Sequence, residues 1–527
     1  MIRTAKTENG MVRGIEAADP RITAFKGIPF AAPPVGENRW RAPQPAADWE
    51  GVREAYRFAP ISMQSIPGLG TDIYCREWHV DPQIDMDEDC LYLNIWSPAK
   101  APSDRLPVFL WVHGGGMVAG SGCEIVCDGT GFASRRDVIV VTINYRLNLF
   151  GFFAHPELTE EGGGSCGNYA LFDMRQACRW VKENISQFGG DPERITVAGQ
   201  SGGAAGTGAL HASPLMKGLI QRVSIESGPV YWGFMKPQPM TVMEQRGIEF
   251  MRRAGCQSIA QLRQKDAWEL FDLYEEFASE NGGMHHAFSF CVDGAFLPKP
   301  YEEMIDNGEF NDFDVMIGSC AQEFPCVDAA SFTTEAYQQW LAEEFPENLE
   351  NMRRWYPAST GSQAAKQVST IASDIMLMGS IRLAQKCRDY GHRAYVWLMS
   401  KENETPRGHA EGCPHCGEMP YVFGTVDRGE RSPFFEYIWQ KEDYAFMELI
   451  QGYWSSYAAT GDPNGGSRPE WKTYRSDFDV DLLCNQTHML PSDQMEKYHY
   501  FMEKLMRSSY AVGIRCLPRF TPKEGKE

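Results

Sequence analysis

The 527-residue chain is predicted to fold as an α/β protein: a mostly parallel sheet covered by helices on both faces. Two observations predict this. Six short, largely apolar, β-branched runs look like buried strands: PVFLWV (107–112), VIVVTI (138–143), ITVAG (195–199), VSIES (223–227), VMIG (315–318) and AYVWL (394–398). Helix-like segments lie between some of them. From about Asn168 to Phe188, Leu171, Met174, Ala177, Cys178, Val181 and Ile185 recur at helical spacing. Strands alternating with helices imply parallel pairing with helices on each face. No repeat, heptad run, low-complexity segment or Pro/Gly/Ser linker divides the chain, so 1–527 reads as a single domain. The stretches at about 235–310 and 332–390 look helical and read as insertions above the sheet.

Composition narrows the function. Hydrophobic residues at 43% and charged residues at 23% suit a water-facing globular protein with a large core. Fifty Lys+Arg against 70 Asp+Glu give a net charge of −20, which argues against nucleic acid and other polyanions as partners. The opening MIRTAKTENGMVRGIEAADP lacks the apolar core of a signal peptide, and no apolar stretch is long enough to span a bilayer. A cytoplasmic location is therefore expected. The 15 cysteines are scattered and odd in number, as free thiols in a reducing compartment would be. The sequons at Asn184, Asn403 and Asn485 carry no weight without a secretory route.

The strongest local chemical signal is Gly199-Gln200-Ser201-Gly202-Gly203, between the strand ITVA and the small-residue stretch AAGTGAL. This is G-x-S-x-G in a strand–turn–helix context, the nucleophile elbow of an α/β-hydrolase. Its glycines suit a turn too sharp and crowded for a Cβ. His113-Gly114-Gly115-Gly116 directly follows the strand PVFLWV. Such a glycine run exposes backbone N–H groups, and Gly115, Gly116 and Gly202 would form an oxyanion hole. In this fold the order is Ser, acid, His. Glu323 follows VMIG, and His415 ends the polar loop after AYVWL. On spacing alone Asp314 and Asp328 remain rival acids, and His409 a rival base.

Taken in order, these motifs resemble the type-B carboxylesterases, from about residue 24 to 474. AFKGIPF (24–30) with Pro33, Pro34 and Gly36, EDCLYLNI (88–95), His113–Gly116, Asn144-Tyr145-Arg146, FGGDP (188–192) leading to Ser201, Gly318 to Glu323, GCPH (412–415) with Glu418 and PYVFG (420–424), and GDPN (461–464) each match a family landmark. The resemblance implies an ester hydrolase acting on small-molecule substrates through an acyl-enzyme. Ser201 would be the nucleophile, His415 the base and Glu323 the acid, with Ser227 and Glu418 behind them and no metal or organic cofactor. It also implies two ion pairs, Arg39 with Glu88 and Arg146 with Asp173.

The chain departs from the family pattern at Gly202, usually Ala, and at Phe324 and Asn148, each usually Gly. Trp78 falls where cholinesterases carry a cation-binding tryptophan, but it reads as a packing residue. An amide, lactone or thioester would serve the same site, and a catalytically silent adhesion protein is the alternative from another class. Cys413 and Cys416 bracket His415, and Cys320 and Cys326 bracket Glu323; all four are expected to be free thiols rather than a redox or zinc site.

Overall fold

A strand with apolar residues on both faces needs cover on both sides, and the six runs find it in one ten-stranded sheet. The structure, a computed structural model, describes residues 1–65, 84–228, 236–281, 283–323, 333–405, 408–409, 413–428, 438–475, 479–483 and 495–507. The main sheet comprises β1 (Ile15–Glu16), β2 (Thr23–Pro29), β3 (Tyr92–Ser97), β4 (Leu106–Val112), β5 (Ile139–Ile143), β6 (Gly190–Gln200), β7 (Arg222–Glu226), β8 (Asp314–Cys320), β9 (Ala394–Met399) and β10 (Val480–Leu483). Their spatial order is β10-β9-β8-β7-β6-β4-β5-β3-β2-β1. Every pair from β10 to β5 is parallel, and β3, β2 and β1 continue the sheet antiparallel.

Alternate side chains of the parallel strands feed two cores. Leu110 and Val112 of β4 join Leu171, Met174 and Val181 of α1 (Tyr169–Asn184) on one face. The intervening Phe109 and Trp111 pack with Phe132, Phe423 and Trp454 on the other. The helix that follows Ser201 is α2 (Gly202–Ala212), and α3 (Gly361–Asp389) lies against β8 and β9 on the first face. Trp454 belongs to α4 (Lys441–Thr460), which covers the second. Of the region between 235 and 310, helices occupy Met240–Arg253, Ile259–Arg263, Ala267–Glu280, Met284–Ala287 and Tyr301–Asp306. Thr334–Glu344 and Leu349–Trp355 precede α3.

The differences from the sequence reading have physical reasons. Strand β3 reads poorly because Asn94 and Ser97 interrupt it, yet both are buried and satisfied. Asn94 Oδ1 accepts from Gly27 N at 3.0 Å, and Ser97 Oγ donates to Phe188 O at 2.7 Å. Strand β6 begins within the FGGDP turn, where Gly190 pairs with Leu106 before a register shift. Asn148 stands at φ +46°, in the left-handed region that Asn tolerates better than other side-chain-bearing residues. Its side-chain amide donates to Met63 O at 2.6 Å, so the replacement of a usual glycine is locally explained.

Both implied ion pairs form, and both are buried. Arg39 Nε lies 2.6 Å from Glu88 Oε1, and Arg39 Nη1 donates to Lys265 O at 2.8 Å, tying the N-terminal region to the helices after 235. Arg146 grips Asp173 through Nε at 2.8 Å and Nη2 at 2.6 Å, and its backbone N–H bonds the same carboxylate at 3.1 Å. Burial pushes the Glu88 carboxyl up, against the pull of Arg39. Breaking either pair strands a buried charge. Asp173→Asn is expected to lower unfolding stability by about 3–5 kcal/mol, read from urea denaturation; a loss within the range of a surface substitution would contradict the pairing.

Candidate active site

Parallel strands carry their C-terminal ends to one edge of the sheet, where the following loops can meet. Four of those loops, after β4, β6, β8 and β9, hold the residues singled out above. The turn after β6 is the tightest. Ser201 sits at φ +56°, ψ −121°, a strained conformation for a residue with a Cβ. Close approach explains the flanking glycines: a Cβ on Gly203 would lie 2.1 Å from Val112 O, and one on Gly199 2.4 Å from Gly203 O. The turn is pinned from the side, since Ser201 N donates to Glu226 O at the end of β7 at 2.9 Å.

The loop after β4 folds back over the start of α2. A Cβ on Gly202 would stand 2.9 Å from both Gly116 N and Met117 N, so glycine here lets the two backbones come closer than the family's usual alanine would. Gly115, at φ +94°, uses its carbonyl to accept from Val118 N and Ala119 N, both at 3.0 Å. His113 is fully buried and stacks on the Tyr145 ring, whose hydroxyl donates to His113 O at 2.8 Å. Burial pushes His113 down to about 4, so it is neutral.

Glu323 and His415, 92 residues apart, meet in the interior: His415 Nδ1 and Glu323 Oε2 form a short hydrogen bond. Backbone contacts fix the two loops in register. Gln322 N donates to Cys413 O at 2.9 Å and His415 N to Glu323 O at 3.1 Å. The other carboxylate oxygen of Glu323 accepts from Cys320 N at 2.6 Å, and Glu323 N donates to Ser373 Oγ of α3 at 2.8 Å. Gln200, the residue before Ser201, brings its side-chain nitrogen to 3.1 Å from His415 Nε2, so the elbow lies beside the imidazole. Sequence reasoning missed Ser373 and Gln200. Ser373 is 50 residues beyond Glu323 in a helix and carries no local signal, while Gln200 is the variable position of its motif.

The rivals go elsewhere. Asp314 opens β8, at the opposite end of the strand from Glu323, and is held by Arg393 Nε at 2.9 Å. The His409 backbone pairs with Glu404 in a two-stranded ladder. Asp328, Phe324, Cys326 and Trp78 lie outside the described residues. Cys413, Cys416 and Cys320 are free thiols, and Cys413 Sγ faces Cys320 Sγ at 3.7 Å. Among the described residues no group of three or more His, Cys, Asp or Glu is placed to hold a metal ion.

Behind the loops lies a buried acidic layer. Glu418 Oε2 accepts from Cys320 Sγ at 3.2 Å, and Glu226 Oε1 accepts from Ser224 Oγ and Trp454 Nε1, each at 2.8 Å. Ser227 stands at φ +55° with its N–H on Gly318 O at 2.8 Å. Glu226 Oε2, Glu418 Oε1 and Ser227 Oγ are buried with no hydrogen-bond partner among the described residues. Burial, then the charge of Glu418, pushes Glu226 well above the usual carboxylate range; burial, then the charge of Glu323, does the same to Glu418.

A strand, sharp turn and helix presenting a serine, with a glycine loop overhead and an acid–histidine pair alongside, define the α/β-hydrolase class. A profile of the carboxylesterase family matches residues 2–500, and the chain belongs to that family. It is 32% identical over 481 residues to a fumonisin B1 esterase of Sphingopyxis macrogoltabida, covering 89% of this chain and 84% of that one. It is 32% identical over 472 residues to a phenmedipham hydrolase of Pseudarthrobacter oxydans (86% and 90% covered), and 29% over 534 to carboxylesterase 4A of Bos taurus (93% of each). Among solved structures, a thermophilic PNB esterase superposes with a TM-score of 0.79 at 28% identity, over 95% of this chain and 100% of that one. The chain is a carboxylic ester hydrolase of the serine type, and the adhesion-protein alternative gains no support. No helix among the described residues is long and apolar enough to cross a membrane.

The acidic layer has a consequence for stability. Unfolded, Glu226 and Glu418 ionise in the ordinary carboxylate range. Folded, they keep their protons to higher pH, so the stability they contribute is present below that range and is lost as pH rises above it. Melting temperature is expected to fall as pH is raised from 5 to 9, and less steeply in a Glu226→Gln/Glu418→Gln variant. Equal slopes would refute the assignment.

Proposed function

We propose that Ser201 is the nucleophile, His415 the general base and Glu323 the acid that orients it. In this reading the N–H groups of Gly115, Gly116 and Gly202 hold the oxyanion, and Ser227 and Glu418 back the acid–base pair. The observation that carries it is the buried His415–Glu323 hydrogen bond, formed beside an elbow whose preceding residue, Gln200, touches the same imidazole. The close packing of Gly202 against Gly116 N supports the oxyanion assignment.

With Nδ1 committed to Glu323, Nε2 is the nitrogen that takes the Ser201 proton as the hydroxyl attacks an ester carbonyl. Negative charge develops on the former carbonyl oxygen, where backbone N–H groups preorganised over the start of α2 stabilise it. The imidazolium then protonates the departing alcohol, and water repeats the cycle on the acyl-enzyme. Glu323 keeps the ring from turning and stabilises its charge. The chain acts as a single domain, and a cytoplasmic setting suits its free buried thiols, including the close Cys320 and Cys413.

Ser201→Ala is expected to lower kcat for p-nitrophenyl acetate by roughly 10⁵- to 10⁶-fold without unfolding the protein. His415→Ala should do nearly the same, and His409→Ala should leave activity close to wild type. Inactivation by His409→Ala alone would reassign the base. Because the base must start neutral, the rate should fall at acid pH. A profile flat from pH 5 to 9, with chemistry limiting, would argue against a histidine.

A further inference from the structure

We infer that Gln200 is a positioning residue that lays its side-chain N–H₂ over the face of the His415 imidazole, fixing the ring's orientation and favouring its neutral form. The inference rests on the reading of His415 as the base.

Gln200 ends β6 and is fully buried. Its Nε2 lies 3.1 Å from His415 Nε2 and 3.4 Å from Nδ1. The two ring nitrogens are separated by one carbon. An atom nearly equidistant from both, in the ring plane, would collide with that carbon, so the amide nitrogen stands over the ring face. It therefore leaves the in-plane lone pair of Nε2 for the Ser201 hydroxyl. The other end of the amide is also confined. Oε1 is buried with no hydrogen-bond partner among the described residues, and a Cβ on Gly114 would come within 2.9 Å of it. Gln200 is thus wedged between the glycine loop after β4 and the imidazole.

The chemistry follows from the sign of the charges. An N–H dipole over a neutral aromatic face is attractive, and over an imidazolium it is repulsive. The resting arrangement therefore favours the unprotonated base that catalysis starts from. Glu323 holds the imidazole by its edge and Gln200 by its face. Among the described residues, the other titratable groups of these loops are Cys320 at the end of β8 and Cys413, Cys416 and Glu418 on the ring's own loop, of which Cys320 and Cys416 are held as thiols by burial.

The test is the pH profile of kcat/KM for p-nitrophenyl acetate in the wild type, Gln200→Glu, Gln200→Met and His415→Ala, with thermal unfolding of each variant alongside. A carboxylate over the ring favours the imidazolium, so Gln200→Glu should move the acidic limb up by about one pH unit. Gln200→Met fills the same space without the dipole. It should move the limb the same way by less, and lower kcat several-fold with little change in KM. If burying the carboxylate in Gln200→Glu prevents folding, the methionine variant carries the test alone. Acidic limbs that superimpose on the wild type's, in every variant that folds, would overturn the role of Gln200. An active His415→Ala variant would instead remove the base, and this inference with it.

Discussion

Everything at the catalytic edge depends on how near three backbones come at the end of β6. Val112 O, at the end of β4, occupies the space a side chain on residue 203 would need, and Gly203 O does the same to residue 199. That crowding lets a buried strand turn at once into α2 with Ser201 at the apex. It also brings the glycine loop over Gly202. Had Gly203 carried a Cβ, β4 and α2 would have to part, and had Gly199 carried one, β6 would be pushed from the start of α2. The strain at Ser201 is held by its neighbours, chiefly the hydrogen bond to Glu226 O.

Burial of charge is the second organising theme, and it is handled in two ways. Arg39–Glu88 and Arg146–Asp173 are paired charges that fasten distant segments, with Arg39 reaching the carbonyls of the region after 260. Glu226 and Glu418 have no cation partner among the described residues, and burial, then a neighbouring carboxylate, pushes both above the usual carboxylate range.

How much was legible in the sequence varied with the kind of signal. The six apolar runs fell on six strands of the sheet because burial on both faces leaves an unmistakable pattern. The polar-interrupted β3 escaped because satisfaction of Asn94 by Gly27 N, 67 residues away, is invisible locally. Ser201 and the glycine loop were readable because tight backbone geometry restricts residue type. Glu323 and His415 were not fixed by spacing, since a loop length does not say which carboxylate or imidazole points inward; the family resemblance chose them. The thiols illustrate the limit best. Cys413 and Cys416 look like a pair on paper, yet Cys413 faces Cys320, 93 residues upstream, because β8 and β9 are adjacent.

The hydrogen bonds that link the catalytic loops form a continuous ladder beyond the strands: Ser201 N to Glu226 O, Ser227 N to Gly318 O, Ala321 N to Met399 O, Gln322 N to Cys413 O, and His415 N to Glu323 O. The sheet thus extends its parallel register into the loops themselves. Side chains there can vary while the ladder stands, but loop length cannot. One residue inserted between Cys320 and Glu323 would carry the carboxylate out of step with the imidazole and leave the sheet untouched. Away from the crowded Gly199 and Gly203, a substitution at this edge leaves the rungs in place, while an insertion or deletion in a segment that bears a rung does not.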